Sequence, residues 1–244
     1  MIEYLKKFES HTAYEAFTGT TAFTRPNVSY CIEENEVHYN KIVDPYNGHA
    51  YVEIGGLKWA TMNIGANSVT DYGLYFQWGD IQGYNASQVG TDKIFNWESY
   101  KYTTNGKWTG INKYNNTDGK TTLDITDDAV RANWGGSWRM PTTAEFEALG
   151  EAVNITWVTD YQGSGVNGIL CTDKIDTSKI LFFPAGGYGG INSVTDVGVT
   201  GGYWSSQRYG NSVDMASQLD VHASPNWNEY DDRCAGLLVR GVVD

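Results

Sequence analysis

Residues 51–62 alternate in polarity: Tyr51-Val52-Glu53-Ile54 and Leu57-Lys58-Trp59-Ala60-Thr61-Met62 flank Gly55-Gly56. Period-two alternation around a two-residue glycine turn predicts a β-hairpin. In mid-chain the period changes. Thr142-Thr143-Ala144-Glu145, after Pro141, has the form of a capping box, and Phe146, Leu149 and Val153 follow at helical spacing, which predicts a helix. A shorter helix is expected from Thr126 to about Trp134. Asp127 and Asp128 would sit in its first turn, where the dipole favours negative charge, and Gly135-Gly136 would stop it. Apolar runs at 169–171, 180–183, 202–206, 219–221 and 237–243 predict strands. Residues 81–123 are polar, with scattered aromatics, the composition of a long loop with room for one short strand pair. No solenoid or propeller period is present. Strands, two central helices and strands again predict an α+β domain.

Residues 1 to about 45 differ from the rest. They hold two of the four histidines, few glycines, and short apolar runs around 14–17 and 28–32. Asp44-Pro45-Tyr46-Asn47-Gly48 is a strong turn signal. It divides the chain into a small module, 1–47, and a main domain, 48–244. The module is too short to fold alone and is expected to dock on the main domain.

Composition narrows the classes. With 28 glycines, 14% aromatic residues including 9 Trp, and only 19% charged residues, a coiled coil is excluded. A turn-rich protein with Trp and Tyr in its core fits. The net charge of −12, without a basic run, argues against nucleic acid as a partner. No stretch of about 18 apolar residues predicts a membrane span. The start, Met1-Ile2-Glu3-Tyr4-Leu5-Lys6-Lys7, has no apolar run behind its lysines, so no signal peptide is expected. The expected location is the producing cell's cytoplasm or a virion, or the cell surface if a signal has been removed. Cys31, Cys171 and Cys234 contain no C-x-x-C pair and read as free thiols, with one disulfide left open.

Candidate chemistry is sparse. Gly163-Ser164-Gly165-Val166-Asn167-Gly168 matches G-x-G-x-x-G, but polar loop precedes it and a strand follows. No helix N-terminus would then face a phosphate. His11, His38, His49 and His222 lack metal-ligand spacing. Asp124, Asp127 and Asp128 lie in no EF-hand loop and read as a helix start. Glu145 and Glu147 are candidate glycosidase acids by residue type alone, and the capping box already accounts for Glu145. No metal and no cofactor is expected.

Three stretches in order carry more. The first runs from Val52 through Gly55-Gly56-Leu57-Lys58-Trp59-Ala60-Thr61-Met62-Asn63 to Asp71-Tyr72-Gly73-Leu74-Tyr75-Phe76-Gln77-Trp78-Gly79. The second is Asp127-Asp128-Ala129 through Asn133-Trp134-Gly135-Gly136-Ser137-Trp138-Arg139-Met140-Pro141-Thr142, with Glu145 and Phe146. The third is Phe183-Pro184-Ala185-Gly186-Gly187-Tyr188, then Gly202-Tyr203-Trp204-Ser205-Ser206, then Arg233, Gly236, Val239 and Arg240. From about Val52 to Val243 the chain resembles the Fibrobacter succinogenes major paralogous domain family, common in Bacteroidetes and their phages. That resemblance implies a C-type-lectin-like fold, with two helices and termini meeting in one sheet. Trp59, Trp78, Trp138 and Trp204 would pack the core, and Arg139 and Arg240 would hold buried or semi-buried polar networks. Formylglycine-generating enzymes share the superfold but rely on a cysteine pair near the C-terminus, where Cys234 stands alone. The segments Tyr4–Phe8, His11, Tyr14–Phe17, Pro26–Cys31 and Val37–Asn40 resemble the opening of structural proteins of Bacteroides phages or prophages.

Between Ser206 and Val239, framework residues Ala216, Leu219, Val221, Arg233 and Gly236 alternate with another set. These are Gln207, Arg208, Tyr209, Asn211, Ser212, Asp214, Asp220, His222, Ser224, Asn226, Asn228, Tyr230, Asp231 and Asp232. Small hydrogen-bonding groups with a few aromatic anchors suit recognition, as in antibody loops. C-type-lectin-like proteins diversified by retroelements place variable residues in this stretch, between Trp-Ser-Ser-like and Val-Arg-like strands. Most of the set is reachable from an Asn codon by adenine changes; Gln207 and Glu229 are not if the third base stays a pyrimidine. The resemblance implies a non-catalytic ligand-recognition protein, a phage receptor-binding or tail-associated adhesin and a variable protein of a diversity-generating retroelement. Its expected partner is a bacterial surface protein or glycan, met by a polar loop on a rigid scaffold. A formylglycine-generating-like or carbohydrate-active enzyme, and a structural virion subunit contacting other subunits, are the alternatives.

Overall fold

The computed structural model describes residues 47–244 and, before them, the backbone of strands β1 (Tyr30–Glu33) and β2 (Glu36–Tyr39). These pair antiparallel, Tyr30 opposite Tyr39 and Glu33 opposite Glu36. The chain divides into two units, Met1–Ala50 and Tyr51–Asp244. The expectations for His11, for the Cys31 thiol, for the phage-like segments and for docking of the module lie outside the described residues.

The second unit begins with the Gly-Gly hairpin. Strands β3 (Tyr51–Ile54) and β4 (Leu57–Asn63) pair with Ile54 opposite Leu57. Gly55 and Gly56 turn the chain with φ of +63° and +80°, a left-handed pair that L side chains resist. The last strand, β13 (Arg240–Val243), returns to the other side of β4, setting Val242 against Trp59. First and last strands of the unit therefore share one sheet, ordered β13-β4-β3. Of the predicted strand at 237–243 only this half is continuous, since Leu237 and Leu238 make single bridges to Phe76 and Tyr203.

The first helix, α1 (Ala129–Trp134), starts later than expected. Residues Ile125–Asp127 form a separate 3-10 turn. Asp128 is the N-cap: its Oδ1 accepts from the Arg131 amide at 2.9 Å and its Oδ2 from the Met140 amide at 2.8 Å. Asp127 is drawn away from the helix by Lys113 and the Tyr114 hydroxyl. Gly135, at φ +68°, ends the helix. The second helix, α2 (Thr143–Ala152), has its capping box intact, with Thr142 Oγ1 accepting from the Glu145 amide and Glu145 Oε2 from the Thr142 amide. Phe146 and Leu149 are buried as the spacing predicts. Val153 is buried too, but it opens a strand instead of extending the helix.

That strand, β5 (Val153–Val158), forms a meander with β6 (Gly168–Asp173) and β7 (Ile180–Pro184). A two-residue pair follows, β8 (Tyr188–Gly189) with β9 (Val194–Thr195). The last sheet is β10 (Gly201–Arg208), β11 (Met215–Val221) and β12 (Asn226–Asp232), in that order. From Tyr51 onward the described residues hold two α-helices and eleven strands in four small antiparallel sheets, an α+β architecture. Trp59 sits in the core between Phe146 and Phe183, with ring centroids 5.6 and 6.5 Å away. None of the helices among the described residues is long and apolar enough to cross a membrane.

Among the described residues the polar segment 81–123 forms no strand pair, only single bridges at Tyr75–Tyr84, Val89–Lys93, Thr103–Ile111 and Thr122–Gln207 and two 3-10 turns. It is nonetheless anchored, because Phe95, Tyr100, Tyr102 and Tyr114 are buried. Their rings pack edge to face, Tyr114 on Trp78 at 5.2 Å and Tyr100 on Tyr102 at 5.7 Å.

Candidate functional site

The strands expected at 202–206 and 219–221 extend to β10 and β11, and the polar stretch after them adds β12, giving one sheet held from behind by buried side chains. The indole N–H of Trp78 donates to the Ser205 carbonyl (2.9 Å) and that of Trp204 to the Phe76 carbonyl (2.8 Å). Arg233 is fully buried. Its guanidinium donates to Tyr100 Oη (2.8 Å) and to the carbonyls of Val213 (2.7 Å), Tyr114 and Lys113 (both 3.1 Å), over the Trp78 ring. Arg240, also fully buried, donates to Asn63 Oδ1 and to the carbonyls of Ala60 and Phe182, and lies over Phe183. Burial pushes its pKa down to about 10, so it keeps its charge at neutral pH. Among the described residues neither arginine bonds a carboxylate. Each is satisfied by neutral oxygens and ring faces, which planar guanidinium accommodates better than ammonium does.

Three of the expected contact residues belong to this scaffold. Arg208 is buried, and it donates to the carbonyls of Ser212 and Asn211 at 2.9 and 3.0 Å, closing the β10–β11 turn. The Ser212 amide donates to the Tyr209 carbonyl in the same turn. Gln207 Oε1 accepts from the Thr143 amide at 3.0 Å, in the first turn of α2. An exposed recognition role does not describe Arg208. A long cation in a polar run looks like a contact until a tight turn presents it with carbonyl groups.

The rest of the set lies further out. Asn211, Ser224, Asn226, Asn228, Tyr230 and Asp232 are exposed; Tyr209, Asp214, Asp220, His222 and Asp231 are half-buried. Tyr209 and Tyr230 meet across the sheet with ring centroids 4.4 Å apart and planes tilted by 34°. A bulge between Gln218 and Asp220 sets Gln218 opposite Glu229 but Asp220 opposite Asn226, leaving one extra residue on β12. Asn228, within it, reaches α2 through Nδ2 donating to Glu147 Oε1 at 2.9 Å.

β12 ends its sheet, yet three of its backbone amides are occupied. The amides of Asn228, Tyr230 and Asp232 donate to Asn226 Oδ1 (3.1 Å), Glu229 Oε1 (3.2 Å) and Asp231 Oδ1 (2.7 Å). Side chains thus take the donors that another strand would use, which closes the edge against strand addition. Any partner of this face meets side chains instead of a backbone template.

The carboxylates here are crowded. Asp220 Oδ1 accepts from the Tyr188 hydroxyl and Thr200 Oγ1, each at 2.7 Å. His222 Nε2 lies 3.7 Å from Asp220 Oδ2, while its Nδ1 accepts from the Ser224 amide. Burial pushes Asp231 up to about 6; the Asp232 amide opposes that rise, and the charges of Asp232 and Asp220 add to it. Asp232 is raised by burial and then by Asp214. Among the described residues no Lys or Arg pairs with Asp214, Asp231 or Asp232. Tyr188 and Thr200 escape sequence reasoning because they come from other elements, with no local spacing to mark them; Glu147, a candidate acid by residue type, instead accepts from Asn228.

Elsewhere, a cleft between the β3–β4 turn and α2 is lined by Ile54, Leu57, Trp59, Ala148, Leu149 and Glu145. Its one acid is committed: Glu145 binds Arg139 through both oxygens, at 2.6 and 2.8 Å, besides capping α2. Cys171 and Cys234 are free and buried, and burial pushes both thiols up to about 12. Among the described residues no group of three His, Cys, Asp or Glu is placed to hold a metal ion. Comparison with known proteins finds no matching family model, curated protein or solved structure.

Proposed function

We propose that this chain is a non-catalytic ligand-recognition protein on a C-type-lectin-like scaffold, which meets its partner with the outer side chains of β10-β11-β12. The observation that carries this reading is a division of labour within one sheet. Arg208, Arg233, Trp78 and Trp204 fix the backbone from behind. Tyr209, Asn226, Asn228, Tyr230 and Asp232 stand in front, on a strand edge closed to pairing. Rigid backbone under short polar and aromatic side chains is the economy of a recognition surface, since little conformational freedom is left to lose on binding. The pairing of β4 with β13 supports the scaffold assignment. The resemblance in sequence adds the setting: a phage receptor-binding or tail-associated adhesin, diversified by a retroelement, whose partner is a bacterial surface protein or glycan. A thiolate-dependent oxidase fits poorly, because burial moves Cys234 away from the ionised form that such chemistry needs.

The test is adsorption to host cells by particles carrying the combined substitution of Tyr209, His222, Asn228 and Tyr230 by Ala. Loss of adsorption with intact particles and an unchanged circular dichroism spectrum is expected. Wild-type adsorption would sink the proposal, and failed assembly would favour a structural virion subunit.

A further inference from the structure

The Tyr209–Tyr230 pair has a charge environment that no cation among the described residues answers. Tyr230 keeps 42% of its surface exposed, with Tyr209 half-buried beside it. Asp232 follows two residues along β12, opposite Met215, whose carbonyl accepts from the Tyr209 amide. Strand geometry puts Asp232 on the same side of β12 as Tyr230, about 7 Å along. Asp214 immediately precedes Met215, close enough for its charge to raise Asp232. The neighbouring cations are committed elsewhere. Arg208 and Arg233 are buried on carbonyl groups and a tyrosine hydroxyl, Lys120 binds Asp124, and Lys113 binds Asp124 and Asp127. One exposed and one half-buried ring thus adjoin two carboxylates that no described cation answers, in a chain of net charge −12.

We infer that this platform docks an arginine side chain of a partner protein, its guanidinium stacked on the Tyr209–Tyr230 rings and bonded to Asp232 and Asp214. The inference rests on the recognition reading above and gives it a ligand class. Ring face and carboxylate together select guanidinium: it stacks on an aromatic face and offers a flat fork of donors, whereas ammonium is a compact, strongly hydrated charge. A neutral sugar would use the rings but leave the two carboxylates crowded. The closed edge of β12 agrees with docking through a side chain rather than an added strand.

The experiment titrates the full chain, in about 0.15 M salt to screen long-range attraction, with hexa-arginine, hexa-lysine and a panel of neutral glycans. Hexa-arginine is expected to bind at least about fivefold tighter than hexa-lysine. Tyr209→Ser with Tyr230→Ser, which leaves the charge unchanged, and Asp232→Asn should each weaken it by about tenfold. Equal binding of the two peptides, or hexa-arginine binding indifferent to the tyrosine substitutions, overturns the inference, since bulk charge then explains it. Glycan binding that the tyrosine substitutions abolish, without preference for arginine, overturns the inference while upholding the recognition reading. If no probe binds and the four-residue variant still adsorbs to cells, both fail.

Discussion

The indole of Trp227 lies across Gly150, so close that a Cβ on that glycine would come within 2.6 Å of the indole Nε1 and within 2.8 Å of two ring carbons. Helix α2 and strand β12 therefore meet through a missing side chain. Two effects of Gly150→Ala oppose each other. Helix propensity alone would favour alanine by about 1 kcal/mol. Against it stands a rigid ring that must be displaced, and overpacking of that kind costs about 1–3 kcal/mol. The indole also packs against the core, so displacing it loses those contacts and the clash should win. Urea denaturation of Gly150→Ala should show a net loss of stability, and the displaced strand should weaken ligand binding by the β12 face. A stabilised variant would mean that Trp227 swings aside freely.

Arg233 makes a second sharp test. Four hydrogen bonds from one guanidinium tie the segment around Tyr100, Lys113 and Tyr114 to β12 and to Val213. Arg233→Met leaves these buried oxygens without donors, and Arg233→Lys supplies too few donors in the wrong geometry. Leaving buried neutral acceptors without their donor typically costs about 1–3 kcal/mol. Both variants should unfold at clearly lower urea, with Lys closer to wild type. Near-wild-type stability of Arg233→Met would show that the segment 81–123 is held by its aromatic rings alone.

Residues whose structure depends on close neighbours were legible in the sequence. The Gly55-Gly56 hairpin and the Thr142–Glu145 cap are complete within a few residues, so pattern alone finds them. The start of α1 was misplaced because Asp127 answers Lys113 and Tyr114, more than ten residues away, while Asp128 alone caps the helix. Strand β12 was missed for another reason. Its exposed Asn226, Asn228, Tyr230 and Asp232 alternate with half-buried residues of which only Trp227 is apolar, so period-two polarity is nearly erased. The contact set was found by residue type, which cannot separate Arg208, folded back on its own turn, from Tyr230 on the surface. Nor can it reveal that Asp220 is held by Tyr188 and Thr200.

Acid sensitivity should trace to Asp127. Burial alone would raise this carboxyl, but hydrogen bonds from Lys113, Tyr102 and Tyr114, with the charge of Lys101, hold it down at about 2 against an ordinary 3.8. A depressed carboxyl stabilises the fold above the unfolded-state pKa, and that stabilisation is lost as pH falls through the folded one. The window therefore lies between about pH 4 and 2, and the contribution at neutral pH is about 2 kcal/mol at most. Asp127→Asn should be less stable than wild type at pH 7 and should converge with it near pH 2. Urea midpoints measured across that range provide the check; a constant gap would place the Asn effect in packing rather than charge.

Asp231 carries the opposite sign. Its carboxyl is raised to about 6 by burial and by the charges of Asp232 and Asp220, so the folded state holds a proton that the unfolded chain releases near 4. Such a group contributes stability that is fully present below the unfolded pKa and lost as pH rises through the folded one. At pH 7 the fold carries a crowded, half-buried charge whose cost is about 1–3 kcal/mol, from a shift of two pH units reduced by solvent screening. Asn at this position keeps the acceptor for the Asp232 amide and removes the charge. Asp231→Asn should therefore raise the urea midpoint at pH 7.5 and lose that advantage by pH 4. A variant that destabilises equally at both values would show that its carboxylate is needed for more than the amide bond. Removing Asp232 instead should lower the apparent pKa of Asp231, readable by carboxyl carbon NMR, because one of the two charges that hold it up is gone.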